Sequence, residues 1–279
     1  VRFSARDGLA LSAAEWGEPG HDGGRTPLFC LPGMCRTALD FQALAGRHME
    51  ERRVVALDYA GHGESARAVD AERYDPHHAI RDVLDAMAAL HLHCAAVVGT
   101  SFGGLMAMAV AAARPAALAA VALNDVGPHL EPGGVGFVRD FVARDPAFAN
   151  LDDAAEYLSR RLPPIGVRDA AGWRRIAELT YARGEDQRWH PRWDTRIGEA
   201  VIGAKAPADM WPYFGALAHV PVLLVWGQAS ELLSASTVQR MRRMRPDMAL
   251  VSLPGIGHAP TLNQPETAAP LDTFLRAVP

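Results

Sequence analysis

Ser101 stands between two glycines in Val97-Val98-Gly99-Thr100-Ser101-Phe102-Gly103-Gly104. The apolar run Ala95 to Val98 reads as a short buried strand. The Ala- and Met-rich run Leu105 to Ala113 reads as a helix. No loop fits between them, so the chain must bend sharply at the serine and lift its side chain clear of the sheet. Gly99 and Gly103 are small enough to let strand and helix pass closely. A serine hydroxyl is a weak nucleophile at neutral pH. To attack a carbonyl it needs a base within hydrogen-bond reach, an acid to orient that base, and N–H donors for the developing oxyanion.

His258 is the candidate base. It sits in Pro254-Gly255-Ile256-Gly257-His258-Ala259-Pro260, just past the last apolar run, where a loop can lean over the edge of the sheet that carries Ser101. Two acids compete to orient it. Asp125 ends the strand that follows the serine's helix, and Glu231 lies in Trp226-Gly227-Gln228-Ala229-Ser230-Glu231 after a later strand. Asp125 has the preferred residue type at a strand end near the elbow and is taken as the acid, with Glu231 as the alternative. For the oxyanion, one N–H is expected from Phe102 at the start of the helix. The other is expected from Met34 in Leu31-Pro32-Gly33-Met34-Cys35, where Gly33 lets the loop turn. Cys35 is expected at the pocket edge and not as a nucleophile.

These residues need a scaffold, and the chain alternates strand and helix to supply one. Strands are expected at 2–6 and 9–16 around the hairpin signal Asp7-Gly8, at Leu28 to Leu31, Val54 to Leu57, Ala95 to Val98 and Ala119 to Leu123. Two more are expected at Val222 to Trp226 and Ala249 to Leu253. Residues 19–27 read as a polar turn. Helices are expected at 38–49, at 76–91, after the elbow, and at about 235–244 and 265–277. The fold class is therefore α/β, with a mostly parallel eight-stranded sheet and helices on both faces. The alternation stops between 128 and 215. That stretch shows no strand pattern, has helix-like runs at about 137–143, 152–161, 170–182 and 195–204, and holds 11 of the 20 aromatic residues, including Trp173, Trp189, Trp193 and Trp211. It is expected to be a helical cap (lid) domain, 128–215, inserted into a core domain made of 1–127 and 216–279.

Bulk properties narrow the function. The chain has 279 residues, is 49% hydrophobic and 22% charged, and carries a formal net charge of -4. Without a basic stripe, nucleic acid is not an expected partner. No run approaches the roughly 18 apolar residues needed to span a bilayer, so no membrane partner is expected either. Three cysteines, Cys30, Cys35 and Cys94, are an odd and sparse set that suits a reducing compartment, so a cytoplasmic location is expected. His91-Leu92-His93-Cys94 lacks metal-ligand spacing, and no Lys follows the glycines of the elbow as a phosphate loop requires. No metal and no cofactor is expected, and the partner is a small molecule. Arg240, Arg242, Arg243 and Arg245 read as a solvated helix face.

Over essentially its whole length the chain resembles the α/β-hydrolase superfamily, and within it a capped, serine esterase-like group. The matching segments are Leu31-Pro32-Gly33-Met34, Asp58-Tyr59-Ala60-Gly61-His62-Gly63-Glu64-Ser65, Gly99-Thr100-Ser101-Phe102-Gly103-Gly104, Asn124-Asp125-Val126-Gly127-Pro128 and Gly257-His258-Ala259-Pro260. The resemblance implies that Ser101 is the nucleophile and His258 the base. In some members the acid follows the sixth strand, which matches Asp125. In most it follows the seventh, typically three residues after a glycine, where this chain has Ser230 with Glu231 next. The oxyanion loop, often His-Gly in the family, is Pro32-Gly33 here. The implied activity is hydrolysis of a carboxylic ester, or a related acyl or carbon–carbon bond, in a small to medium apolar or aromatic substrate. The elbow serine argues against the dehalogenases and epoxide hydrolases of the family, which carry Asp there. Acyl transfer or perhydrolysis would use the same residues. A cofactor-free dioxygenase is a rival on the strength of Pro32-Gly33-Met34-Cys35, although Phe102 stands where those enzymes place His. A non-enzymatic ligand receptor fits a chain with Ser, His and acid all present less well.

Overall fold

The computed structural model describes residues 1–17, 24–203 and 209–279. In chain order the strands are β1 (Arg2–Ser4), β2 (Ala10–Trp16), β3 (Leu28–Leu31), β4 (Val54–Asp58), β5 (Ala95–Thr100) and β6 (Leu118–Asn124). Then come β7 (Tyr181–Arg183), β8 (Trp189–Pro191), β9 (Val222–Gly227) and β10 (Ala249–Leu253). The helices are α1 (Gln42–His48), α2 (Pro76–Ala89), α3 (Phe102–Ala113), α4 (Pro132–Val142), α5 (Leu151–Arg161), α6 (Ala170–Thr180), α7 (Ile197–Gly203), α8 (Trp211–Gly215), α9 (Ala235–Met244) and α10 (Pro265–Arg276). The expected polar turn falls partly outside the described residues, at 19–23, as does residue 204 at the end of the run expected at 195–204.

Eight strands form one sheet in the order β1-β2-β4-β3-β5-β6-β9-β10. β2 runs antiparallel to both neighbours, and the remaining pairs are parallel. The central strands are buried on both faces, so their sequences are continuous apolar runs. Alternate residues nonetheless serve different cores. Phe29, Leu31, Val55, Leu57 and Val97 join one layer with side chains of α2, α3 and α9. Leu28, Cys30, Val54, Ala56, Ala96 and Val98 join the other, with Leu44 of α1 and Leu271 and Leu275 of α10.

The chain passes from β3 outward to β4, then crosses back over β3 to β5. That reversal opens a crevice at the carboxyl ends of β3 and β5, where α/β sheets place their ligand sites. The register brings the strand ends level. Leu31 pairs with Gly99, Thr100 with Asn124, and Asn124 with Val225. Whatever follows β3, β5, β6 and β9 therefore emerges along one edge.

Between β6 and β9 lie α4 to α8 and, against expectation, a hairpin of β7 and β8. The run expected at 170–182 stops at Thr180, because Tyr181 is already extended. Strands three residues long show no alternation to read, so the sequence carried no signal for them. A third core joins this segment to the loops of β1, β2 and β4, and contains Phe141, Leu158, Tyr181, Trp193 and Ile197. Trp193 also donates to the Val142 carbonyl (2.8 Å). The expected solvated arginine face needs correction as well. Arg245 is buried, and donates to the Leu217 and Val220 carbonyls and to Asp247. Arg240 lies over the Trp211 ring, 3.7 Å from its centroid. Arg245 follows the last turn of α9, where the chain heads back to the sheet, so it points inward while the helix face does not.

Candidate active site

Ser101 occupies the single position between β5 and α3, with φ 50 and ψ -116. A non-glycine residue there costs about 1–3 kcal/mol, and its neighbours must enforce it. They do so at close quarters. A methyl group at Gly103 would stand 2.0 Å from the Leu31 carbonyl oxygen, and one at Gly99 would stand 2.6 Å from the Gly103 carbonyl. The Ser101 N–H donates to the Asn124 carbonyl (3.0 Å), and its own carbonyl accepts from Gly104 (2.9 Å). The helix begins at Phe102 and not at Leu105, so the peptide after the serine belongs to the first turn.

Asp125 directly follows β6, also in the left-handed region (φ 53). It is fully buried, with both carboxylate oxygens engaged. Oδ1 accepts from the Gly227 N–H (2.8 Å), and Oδ2 lies 2.8 Å from His258 Nδ1. His258 Nε2 in turn lies 2.8 Å from Ser101 Oγ. A carboxylate only accepts, which assigns the proton to Nδ1 and leaves Nε2 free to accept from the serine hydroxyl. Glu231 is exposed, and among the described residues it has no hydrogen bond to His258. The structure therefore brings together Ser101, His258 and Asp125, and leaves Glu231 outside.

The loop that carries His258 is fastened from several sides. Its approach to β9 requires Gly227, where a methyl group would stand 2.6 Å from the Ile256 carbonyl. Gly257 donates to the Pro164 carbonyl (2.6 Å) and Thr261 to the Ile165 carbonyl (2.9 Å). Asn124 makes a connection that the sequence reading missed. Its Nδ2 donates to the Pro260 carbonyl (3.0 Å) and to Thr100 Oγ1 (3.2 Å), which ties the residue before the nucleophile to the residue two beyond the histidine. Its place beside Asp125 at a strand end was the available signal.

Of the two expected oxyanion donors, Met34 lines the same cavity as Ser101, and Phe102 directly follows Ser101. Neither Phe102 N–H nor Met34 N–H donates to a protein acceptor among the described residues. Phe102 opens α3, so its N–H is one of the unpaired donors of a helix N-terminus, where the helix dipole favours negative charge. The Met34 loop is braced by the loop after β4. Asp58 accepts from the Ala38 and Glu64 N–H groups, and buried His62 meets the Met34 carbonyl through Nε2 (2.6 Å). Burial holds the His62 imidazole below its ordinary pKa and raises the Asp58 carboxyl above its own. Gly63 is required because a methyl group there would stand 2.2 Å from Asp58 Oδ2.

Ser101 and His258 open on a cavity of about 160 Å³. One side of its apolar wall comes from the segment between β6 and β9, through Phe137, Val138, Phe141, Leu162, Ile176 and Leu179, and the other from core loops, through Met34, Phe41, Pro260 and Leu262. The four named tryptophans are not among its lining residues. The aromatic wall is phenylalanine, and Trp193 packs the third core instead. Cys35 lines the cavity, and desolvation pushes its thiol up to about 12, so it presents no thiolate at neutral pH. Arg36 and Asp40 also line it, and the sequence reading gave neither a role.

Comparison with known proteins agrees with this architecture. Residues 28–271 match the profile of the alpha/beta hydrolase family. A 3-hydroxybutyrate-oligomer hydrolase of Cupriavidus necator is 31% identical over 266 residues, covering 91% of this chain and 89% of its own. An alpha/beta hydrolase of Novosphingobium aromaticivorans, known by crystal structure, superposes with a TM-score of 0.92 at 37% identity, over 100% of this chain and 98% of its own. The structure of an E-2-(acetamidomethylene)succinate hydrolase superposes with a TM-score of 0.80 at 25% identity, over 99% and 96%. The chain belongs to the alpha/beta hydrolase family.

Proposed function

We propose that this hydrolase cleaves a carboxylic ester through an acyl-enzyme on Ser101, with His258 as base, Asp125 as the acid that orients it, and the Met34 and Phe102 N–H groups as oxyanion donors. The observation that carries the reading is the continuous contact from Asp125 Oδ2 through His258 to Ser101 Oγ, each step 2.8 Å, at the floor of a mostly apolar cavity. His258 Nε2 takes the hydroxyl proton as Oγ attacks the ester carbonyl. Buried Asp125 stabilises the imidazolium that forms. The oxyanion settles between the two N–H groups. Collapse expels the alcohol, protonated by His258. Water then gives its proton to His258, attacks the acyl-enzyme, and releases the acid and the free serine.

The segment 128–215 acts as the cap of this site, since it supplies one apolar side of the cavity, Phe137 and Phe141 included. Phenylalanine and aliphatic side chains there suit a small to medium apolar acyl group. The relative named for 3-hydroxybutyrate oligomers supports an acyl group of that size. Ser101→Ala is expected to abolish p-nitrophenyl butanoate hydrolysis and labelling by a fluorophosphonate probe. Turnover retained by the folded variant would sink the mechanism.

A further inference from the structure

We propose that Arg36 recognises the acyl part of the substrate, and that the substrate carries a neutral oxygen acceptor, such as the hydroxyl of a 3-hydroxyacyl ester, a few bonds from the scissile carbonyl. The inference rests on the serine-hydrolase reading and names the substrate class of that same site.

Arg36 closes the tight turn that presents the Met34 N–H, its own N–H donating to the Gly33 carbonyl (3.0 Å). The stem of the side chain starts near the nucleophile, and both residues line the cavity. A methyl group at Gly33 would stand 3.6 Å from Arg36 Cγ and 3.7 Å from Ser101 Cβ. Arg36 and Asp40 are the two charged residues in a lining that otherwise offers apolar groups, neutral polar groups and His258. Placing a charge pair against an apolar cavity incurs desolvation that its own attraction does not reliably repay, so stability alone is a weak reason for the pair. A few fixed polar groups in an apolar cavity are what orients a ligand.

The guanidinium is held rigidly. Nε and Nη2 donate to the two Asp40 oxygens (2.5 and 2.7 Å), and Nη1 donates to Thr180 Oγ1 (2.5 Å). Thr180 passes its own proton to the Ile176 carbonyl, so it asks nothing of a ligand. A guanidinium has five N–H groups. Among the described residues three are occupied, which leaves one on Nη1 and one on Nη2. Asp40 cancels the charge of Arg36, so an anionic substrate gains little net attraction. A hydroxyl oxygen, by contrast, can accept from Arg36 and still donate to a free lone pair of Asp40.

The test compares kcat/KM for methyl butanoate, both enantiomers of methyl 3-hydroxybutanoate, and monomethyl succinate, followed by acid release in a pH-stat. One 3-hydroxybutanoate enantiomer is expected to be preferred over butanoate by about 10- to 100-fold, the value of a hydrogen bond from a charged donor. Succinate is expected to gain no such preference. In Arg36→Lys, which keeps a cation beside Asp40 without the planar fork, the hydroxy-to-plain ratio should fall toward one. The same is expected of Arg36→Met combined with Asp40→Asn, which leaves no unpaired charge. A ratio that survives in both folded variants, a wild type that shows no preference, or a preference for succinate would overturn the proposal. If butanoate is cleaved and Ser101 is labelled while the ratio is one, Arg36 alone is misassigned. If neither ester is cleaved and Ser101 is not labelled, the hydrolase reading falls and Arg36 falls with it.

Discussion

Asp125→Asn separates orientation of the base from everything else Asp125 does. Asparagine has nearly the same shape, and its Oδ1 can still accept from the Gly227 N–H, so the fold should persist. The change acts at the other oxygen. An Nδ2–H₂ group facing His258 Nδ1 is a donor, so the imidazole must accept there and carry its proton on Nε2 instead. That proton then points at Ser101 Oγ, and the base is lost while every heavy atom stays in place. The comparable change in a serine-protease triad costs about 10⁴-fold in kcat, or about 5.5 kcal/mol of barrier. We expect that loss for p-nitrophenyl butanoate, with thermal midpoint and KM near wild type. Glu231→Gln, at an exposed position, should stay within about threefold, as surface changes usually do. A crippled Glu231→Gln beside an Asp125→Asn enzyme within tenfold of wild type would refute the reasoning.

Asn124→Ala removes the amide that holds Thr100 and Pro260. It should lower kcat about tenfold and leave KM nearly unchanged, since one or two hydrogen bonds of about 1 kcal/mol each then fail to hold His258 in register. An unchanged kcat in single-turnover assays would count against that role. Gly103→Ala drives a methyl group into the Leu31 carbonyl and should destabilise the protein by more than about 2 kcal/mol, read as a large fall in thermal midpoint. A normal midpoint would mean that the elbow is looser than described. His190 bridges Asp145 and Asp186, and those two hydrogen bonds raise its pKa above 6.5. A raised folded pKa means that the stabilisation is complete below the unfolded value and is lost as pH rises through the folded one. His190→Asn should therefore lower the thermal midpoint at pH 5.5 more than at pH 8.5, and an equal loss at both would show that the ring's charge is not involved.

Residues close together in sequence carried much of the reading. The apolar run before Ser101, the glycines on either side of it and the helix after it dictate a sharp bend, because backbone sterics act within a few positions. The buried strands were legible as apolar runs, and their alternation with helices called for a parallel sheet. The segment between β6 and β9 was less legible. Its helices left periodic marks, but β7 and β8 are too short to show one, and the tryptophans gave no sign of whether they faced the cavity or the third core. Arg36 looked like any loop arginine until the turn at Gly33 set it beside Ser101.

The sequence by itself determined the chemical repertoire: a serine at an elbow, a histidine after the last strand, one acid at a strand end and another in the loop after a later strand, and glycines where backbones must touch. Only the tertiary structure decided which acid meets the histidine. Asp125 and His258 are 133 residues apart, and His258 and Ser101 are 157 apart. Their contact depends on the parallel register that brings the ends of β5, β6 and β9 level, and on Gly227 letting the His258 loop close over them. Local preferences act over a few residues, whereas that register is set by two cores that bury the central strands of the sheet, so which acid meets His258 could be read only once the sheet was assembled.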